Sequence, residues 1–233
     1  MRTGMALAAA CMAGACGSSG SSANPNSPTA PGAPSGPACR TYPTSTNVTT
    51  RTSNSNFVFN AILTGNFDTS TKQATVQTKF ANGTVCATGV ASYNSIADFV
   101  NEVRVIPPVF LATGTTNQNS AACGGAAAAG SLTYQYDGQR RLTGMTTSLG
   151  VVTTYTAWDS QGRPTTGSDN KGGTISFSYD DAARTQVQTQ NPGNTVSTSV
   201  FDTNGILVSI AVTAGGITST TTFTVNSTAT VCK

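Results

Sequence analysis

Asp137, Asp159, Asp180 and Asp202 stand 22, 21 and 22 residues apart, and each directly follows an aromatic residue: Tyr136, Trp158, Tyr179 and Phe201. Thirteen residues after each aspartate comes a glycine, Gly150, Gly172, Gly193 and Gly215. A period near twenty residues means one small supersecondary unit copied in tandem and stacked on its neighbours. The shared pattern is aromatic, Asp, two variable residues, Gly, Arg. Aspartate at the first turn position and glycine at the fourth favour a type I turn ending in a left-handed bulge, because the carboxylate accepts turn N–H groups and glycine takes positive φ. Arg140 and Ala183 stand where that glycine belongs in the first and third copies, so those two turns are expected to be strained or differently shaped. The second set of glycines marks the opposite turns. Asn191-Pro192-Gly193-Asn194 among them predicts a type II turn.

Between the turns lie short segments rich in Thr, Val, Ile and aromatic residues. Ile175, Phe177 and Tyr179 alternate with Thr174, Ser176 and Ser178; Ile206, Val208, Ile210 and Val212 alternate in the same way. Such alternation gives a sheet with one apolar face that must be covered. The expected fold is all-β: an antiparallel meander of about nine strands between residues 131 and 226, forming a curved sheet, followed by a C-terminal tail, 227–233, that carries Cys232. Residues 39–123 are expected to form a small N-terminal β-rich module, with strands at Asn56–Thr64, Gln73–Phe80 and Val85–Tyr93 and a turn at Asn82-Gly83. Phe67-Asp68 and Tyr93-Asn94 have the look of decayed copies of the repeat. One helix is expected near 96–105, with Ser95 capping it, Asp98 in its first turn, an apolar stripe of Ile96, Phe99, Val100 and Val103, and Pro107-Pro108 ending it. Such a stripe should pack on the apolar side of the sheet. Gly124 to Gly130 reads as a joint between module and repeats.

The N-terminus reads as an export signal, with Arg2, an apolar stretch from Met5 to Ala15 too short to span a bilayer, and small residues at its end. It is similar to a bacterial lipoprotein signal. Cys16, followed by Gly17-Ser18-Ser19-Gly20, is the preferred lipidation site and Cys11 the alternative. Lipid chains contribute about 0.8 kcal/mol per buried methylene, so an acylated cysteine would hold the chain on a membrane without a spanning helix. Gly17 after that cysteine offers no acidic retention signal, which by the sorting habit of such lipoproteins implies an outer membrane. In the Ser/Pro-rich stretch 16–38, prolines recur every third residue at 25, 28, 31, 34 and 37. That matches the three residues per turn of polyproline II and predicts a stiff spacer of roughly 40 Å. Four further cysteines, Cys39, Cys86, Cys123 and Cys232, are disulfide candidates whose connectivity the sequence leaves open.

Four in-register copies of aromatic-Asp-x-x-Gly-Arg resemble the YD-repeat, or RHS-repeat, family. Long members of that family wind one sheet into a hollow shell around a toxin or into the barrel of large adhesion proteins. What the resemblance implies here is the repeat architecture and an extracytoplasmic role. Encapsulation is not implied: nine strands at about 4.8 Å spacing make a ribbon roughly 43 Å wide, too narrow to wrap a cargo domain.

The chain has no histidine and 9% charged residues, with net charge +3 and no basic run. Absence of histidine removes every Ser-His or Cys-His arrangement and the usual base near neutral pH, and the charge pattern gives no footprint for nucleic acid. Asp180-Asp181, adjacent on the chain, cannot converge on one site from a strand. Asp202-Thr203-Asn204-Gly205 lacks the other ligands of a calcium loop. No catalytic residue, metal site or cofactor is expected. The remaining candidate is a ladder of Tyr136, Trp158 and Tyr179 with Arg141, Arg163 and Arg184, either core packing or a glycan platform. The expected function is therefore a non-enzymatic envelope lipoprotein that displays the repeat sheet as a structural or interaction module toward a cell-surface protein or glycan; the alternative is a glycan-binding surface protein that uses that ladder.

Overall fold

A computed structural model of the chain describes residues 38–54, 58–121 and 128–233. The export signal, Cys11, Cys16 and the proline-rich spacer lie outside the described residues, as does Cys123.

Fourteen antiparallel strands follow one another: β1 (Cys39–Thr52), β2 (Val58–Asp68), β3 (Gln73–Lys79), β4 (Val85–Ser92), β5 (Gly114–Asn119), β6 (Ala128–Tyr136), β7 (Leu142–Thr147), β8 (Val152–Trp158), β9 (Pro164–Asp169), β10 (Thr174–Asp180), β11 (Thr185–Asn191), β12 (Thr195–Phe201), β13 (Leu207–Ala214) and β14 (Ile217–Cys232). Each pairs with the next, and β14 pairs with β1 from Cys39↔Cys232 to Thr52↔Ser219, so the sheet closes into a barrel. The nine strands expected from the repeats are β6 to β14. Two expectations are corrected. The curved sheet is a closed barrel, because β5 pairs with β6 and β14 returns to β1; the N-terminal strands thus complete the same sheet instead of forming a module beside it. The expected tail is the last part of β14, stapled to the start of β1 by a Cys39–Cys232 disulfide. The expected type II turn is also changed: the Asn191–Pro192 bond is cis, and Asn194 as well as Gly193 takes positive φ.

Hairpins alternate between two mouths. The aromatic-Asp turns, the start of β1 at Cys39 and the end of β14 at Cys232 lie at one mouth; the glycine turns at 150, 172, 193 and 215 lie at the other. Alternation sorts the faces. Along β10 and β14, Ser176, Ser178, Thr220, Thr222 and Thr224 are exposed, whereas Phe223 and Thr221 are buried. Hydroxyl and amide pairs stitch the seam between β1 and β14, among them Thr41 to Thr230 and Asn47 to Asn226.

Fourteen strands at about 4.8 Å, tilted as in other barrels, give a cylinder roughly 25–30 Å across between backbones. Eight strands are already filled by their own side chains, so this lumen needs a filler. The segment between β4 and β5 supplies it at one mouth. It begins with a helix, α1 (Ile96–Asn101), whose N-cap Ser95 accepts the Asp98 N–H through its side chain. The expected helix to 105 stops early: Glu102 is the C-cap, and its carbonyl accepts the Val109 N–H as the chain turns back. Phe99 and Val100 pack with Tyr42 of β1, Phe67 of β2 and Ala91 of β4. A second cluster joins Val48, Ala61, Phe201, Leu207, Ile210 and Phe223 along β1, β2 and β12 to β14.

Candidate functional site

The repeat aspartates build the rim of the plugged mouth. Asp137 Oδ1 accepts the N–H groups of Gln139 and Arg141, Asp159 Oδ1 those of Gln161 and Arg163, and Asp202 Oδ1 those of Asn204 and Ile206. In the two copies that keep the glycine, Gly162 and Gly205 take φ of +80° and +72°. Arg140 is forced to φ +61° at the same place. The third copy shifts the positive φ one residue on, to Arg184, and Asp180 Oδ1 accepts the Ala183 N–H instead. Asp68 forms the same kind of turn after Phe67, accepting the Ser70 N–H and hydroxyl, which lowers its pKa. For Asp137 burial works against ionisation, yet the backbone and guanidinium of Arg141 and the Gln139 N–H lower its pKa overall. At the far mouth Gly150, Gly172, Gly193 and Gly215 all take positive φ.

The aromatic and arginine ladder turns inward and is already engaged. The Tyr136 hydroxyl donates to the carbonyl of Ala112, at the end of the filler, at 2.7 Å. Trp158 Nε1 donates to Leu142 O at 2.9 Å and the Tyr179 hydroxyl to Pro164 O at 2.9 Å. Arg163 is 3% exposed; its Nε meets Asp159 Oδ2 at 2.7 Å, its Nη1 meets Asp181 Oδ1 at 2.8 Å and Pro107 O at 3.2 Å, and its guanidinium lies 4.1 Å over the Tyr179 ring. Arg141 pairs with Asp137 and covers the Trp158 ring at 4.5 Å. Arg184 donates to Phe201 O at 3.3 Å. These contacts fasten turns to neighbouring strands and to the filler, while the rings of Tyr136, Trp158 and Tyr179 stay half-exposed.

At the centre of the filler stands a cluster that the sequence reading did not find. Arg40 of β1, 1% exposed, meets Glu102 Oε2 at 3.2 Å and lies 3.6 Å over the Phe99 ring; it also donates to Phe99 O. Glu102 accepts the Tyr93 hydroxyl at 3.1 Å and the Leu111 N–H at 3.0 Å. Burial raises the Glu102 pKa against the opposing pull of Arg40 and these donors; burial and then Glu102 raise that of Tyr93. The only signal available beforehand was the chain's single glutamate beside an apolar helical stripe. An ion pair linking residues 40 and 102 has no local spacing to betray it.

The filler also reaches Arg140 through Asp98, the carbonyl of Gln161 through Arg104, and Gly205 through Val103 and Ile106. Its contacts thus fall on β1, β2, β4, β6, β14 and three rim turns, all round the circle, which only a segment seated inside the mouth can achieve.

Cys86 is disulfide-bonded as well. Among the described residues no group of three or more His, Cys, Asp or Glu is placed to hold a metal, and no helix is long and apolar enough to cross a membrane.

No family model matches the chain, and no curated protein matches it. Among solved structures, a porin-like protein from Bacteroides uniformis aligns at 11% identity with a TM-score of 0.25, over 79% of this chain and 98% of that one.

Proposed function

We propose that this protein is a non-enzymatic cell-envelope lipoprotein that displays a short YD-repeat barrel as a structural or interaction module, held by Cys16 on a bacterial outer membrane. The observation that carries the reading is the placement of the start of β1. Residue 38 enters at the plugged mouth, where the Cys39–Cys232 disulfide and the charged rim lie. A proline spacer leading from a lipid to that point presents the opposite mouth away from the membrane. The outer wall supports display in water: Thr154, Thr156, Ser176, Ser178, Thr220, Thr222 and Thr224 are exposed along the strands, the reverse of the apolar band about 25 Å tall that a lipid-facing barrel carries. Two ion pairs at the plugged mouth, Arg40–Glu102 and Arg140–Asp98, tie the filler to the wall.

Palmitate labelling tests the anchor. The wild type is expected to take up label and sediment with outer membranes, and Cys16→Ala to lose both. Unchanged labelling of that variant moves the lipid to Cys11 or elsewhere; an unlabelled, freely soluble wild type refutes the reading.

A further inference from the structure

The two mouths differ in charge more than in any other property. Apart from Arg51, Lys79, Asp169 and Lys171, every charged residue described lies at the plugged mouth. Asp169 is engaged by its own turn, accepting the N–H groups of Lys171 and Gly173. The inner wall between the mouths therefore carries no charge.

That wall is polar on one arc. Directly paired residues of antiparallel strands share a face. Gln186 pairs with Tyr179 and Gln188 with Phe177, and on the other side they pair with Ser199 and Ser197. Tyr179 lies under the buried Arg163, and the Phe177 ring sits 6.2 Å from that of Tyr155, itself buried. These pairings place Gln186 and Gln188 on the inner face. All of Phe177, Gln186, Gln188, Ser197 and Ser199 nevertheless remain half-exposed, and an inner-face side chain of a closed barrel can meet water only in the lumen.

The facing arc is built from small residues. β5 stands six strands from β11 in a ring of fourteen, nearly opposite. There Asn117 pairs with Gly89 on one side and Gly130 on the other, two residues along from the buried Thr115. Its buried Oδ1 has no hydrogen-bond partner. Beyond the α1 contacts with β1 and β14, the substantial backbone contacts of the strands run between sheet neighbours. A lumen roughly 25–30 Å between backbones leaves a gap on the order of 15 Å between facing side chains.

We infer that the lumen beyond the plug is a binding site for an uncharged oligosaccharide, held by Gln186, Gln188, Ser197 and Asn117 with the Phe177 ring as an apolar floor. Glutamine side chains donate and accept at once, serines do the same, and neither demands a charged ligand. The ring offers an apolar face to a pyranose. The nearest cations, Arg163 and Arg184, are already engaged at the rim by Asp159, Asp181 and Pro107 O and by Phe201 O, so this wall does not call for a phosphate or carboxylate, and an aliphatic chain would leave the amides unpaired. The inference rests on reading the protein as a displayed interaction module and gives that module its ligand class. The site adjoins the Tyr179 rung of the arginine ladder on β10 and extends from it toward the glycine-turn mouth.

The test uses the full lipidated chain in a detergent without a sugar headgroup, titrated calorimetrically with maltohexaose, cellohexaose and chitohexaose, and with acidic oligogalacturonate as the charged comparison. At least one neutral hexasaccharide should saturate. Gln188→Leu should weaken it at least ten-fold, and Thr189→Ala, which faces outward beside Ser176, should not. If Gln188→Leu does not fold, judged by its thermal transition, Ser197→Ala takes its place with the same expected direction. Silence toward all three neutral probes overturns the inference, as does preference for the acidic one or equal weakening by Thr189→Ala. The palmitate result is independent of all these: a labelled, membrane-bound protein that ignores every sugar keeps the display reading and loses this one.

Discussion

The plugged mouth and the glycine-turn mouth are made from the same strands, yet they are held by different kinds of force. At the glycine mouth the turns bond at most to the adjacent turn, as Asn170 does to Gly150 O, and Gly150, Gly172 and Gly215 bend the chain with nothing within 4 Å of where a side chain would begin. At the plugged mouth each turn is also a docking point. Gly205 lies against Val103 and Ile106, Arg163 is pinned to Pro107 O, and Arg40 reaches Glu102. One end of a barrel can thus be held by its turns and bonds to adjacent ones, while the other becomes cooperative because a single segment touches rim turns all round it.

The sharpest way to break this contrast is to remove the carboxylate on which the filler centres. Glu102→Ala leaves Arg40 buried and uncompensated, and chemical denaturation should show a loss of about 3–5 kcal/mol. The next effect concerns the seam. The Cys39→Ser, Cys232→Ser double variant opens a bridge spanning a sequence separation of 193 residues. It should lose about 2–5 kcal/mol by the same measurement, and reductant should lower the wild-type melting temperature in the same direction.

A matched pair of glycines sharpens the comparison. Gly150 and Gly205 have nearly the same φ, +75° and +72°. Gly150→Ala should cost about 1 kcal/mol through backbone strain alone. Gly205→Ala adds a Cβ only 3.3 Å from Val103 Cγ1 and should cost about 2 kcal/mol. Equal losses would mean that the filler yields freely at that point.

The smallest effect is a dependence on pH. Glu102 has a raised pKa in the fold, so its contribution to stability is complete below its unfolded value of 4.5 and is lost as pH rises through the folded value. Asp137 has a lowered pKa and acts oppositely: its contribution is present above 3.8 and is lost as pH falls through the folded value. Glu102→Gln should therefore flatten stability against pH above 4.5 and leave the acid limb intact, as read from denaturation midpoints across that range.

What the sequence made legible was whatever repeats or acts locally. Asp159, Gly162 and Gly172 announced their turns, Ser95 announced a helix start, and alternation along β10 and β13 announced the inner face. Even the aromatic-Asp pair at Phe67-Asp68, weak as a repeat, sits at such a turn. Closure was not legible. The pairing of Cys39 with Cys232 and the strand β5, a polar run of Gly114–Asn119, have no periodic signature, and a strand's partner on the far side of a ring is set by geometry that no short window contains. The length of α1 was overestimated for a related reason: Val103 continues the apolar stripe, but the Glu102 carbonyl is drawn to the Val109 N–H as the chain reverses inside the mouth. The ladder Tyr136, Trp158, Tyr179 was visible as a set, while its occupation by Ala112 O, Leu142 O and Pro164 O was not.

The β1–β14 seam sets an order of events in the making of the protein. β1 is among the first parts of the fold to be synthesised, and its second neighbour is the last. Until Ile217–Cys232 has been translated, β1 and β13 are bare edges able to pair with another chain. Joining them closes the longest loop in the molecule, the slow kind of contact to find. A ribosome stalled anywhere before residue 217 would hold an open, adhesive sheet.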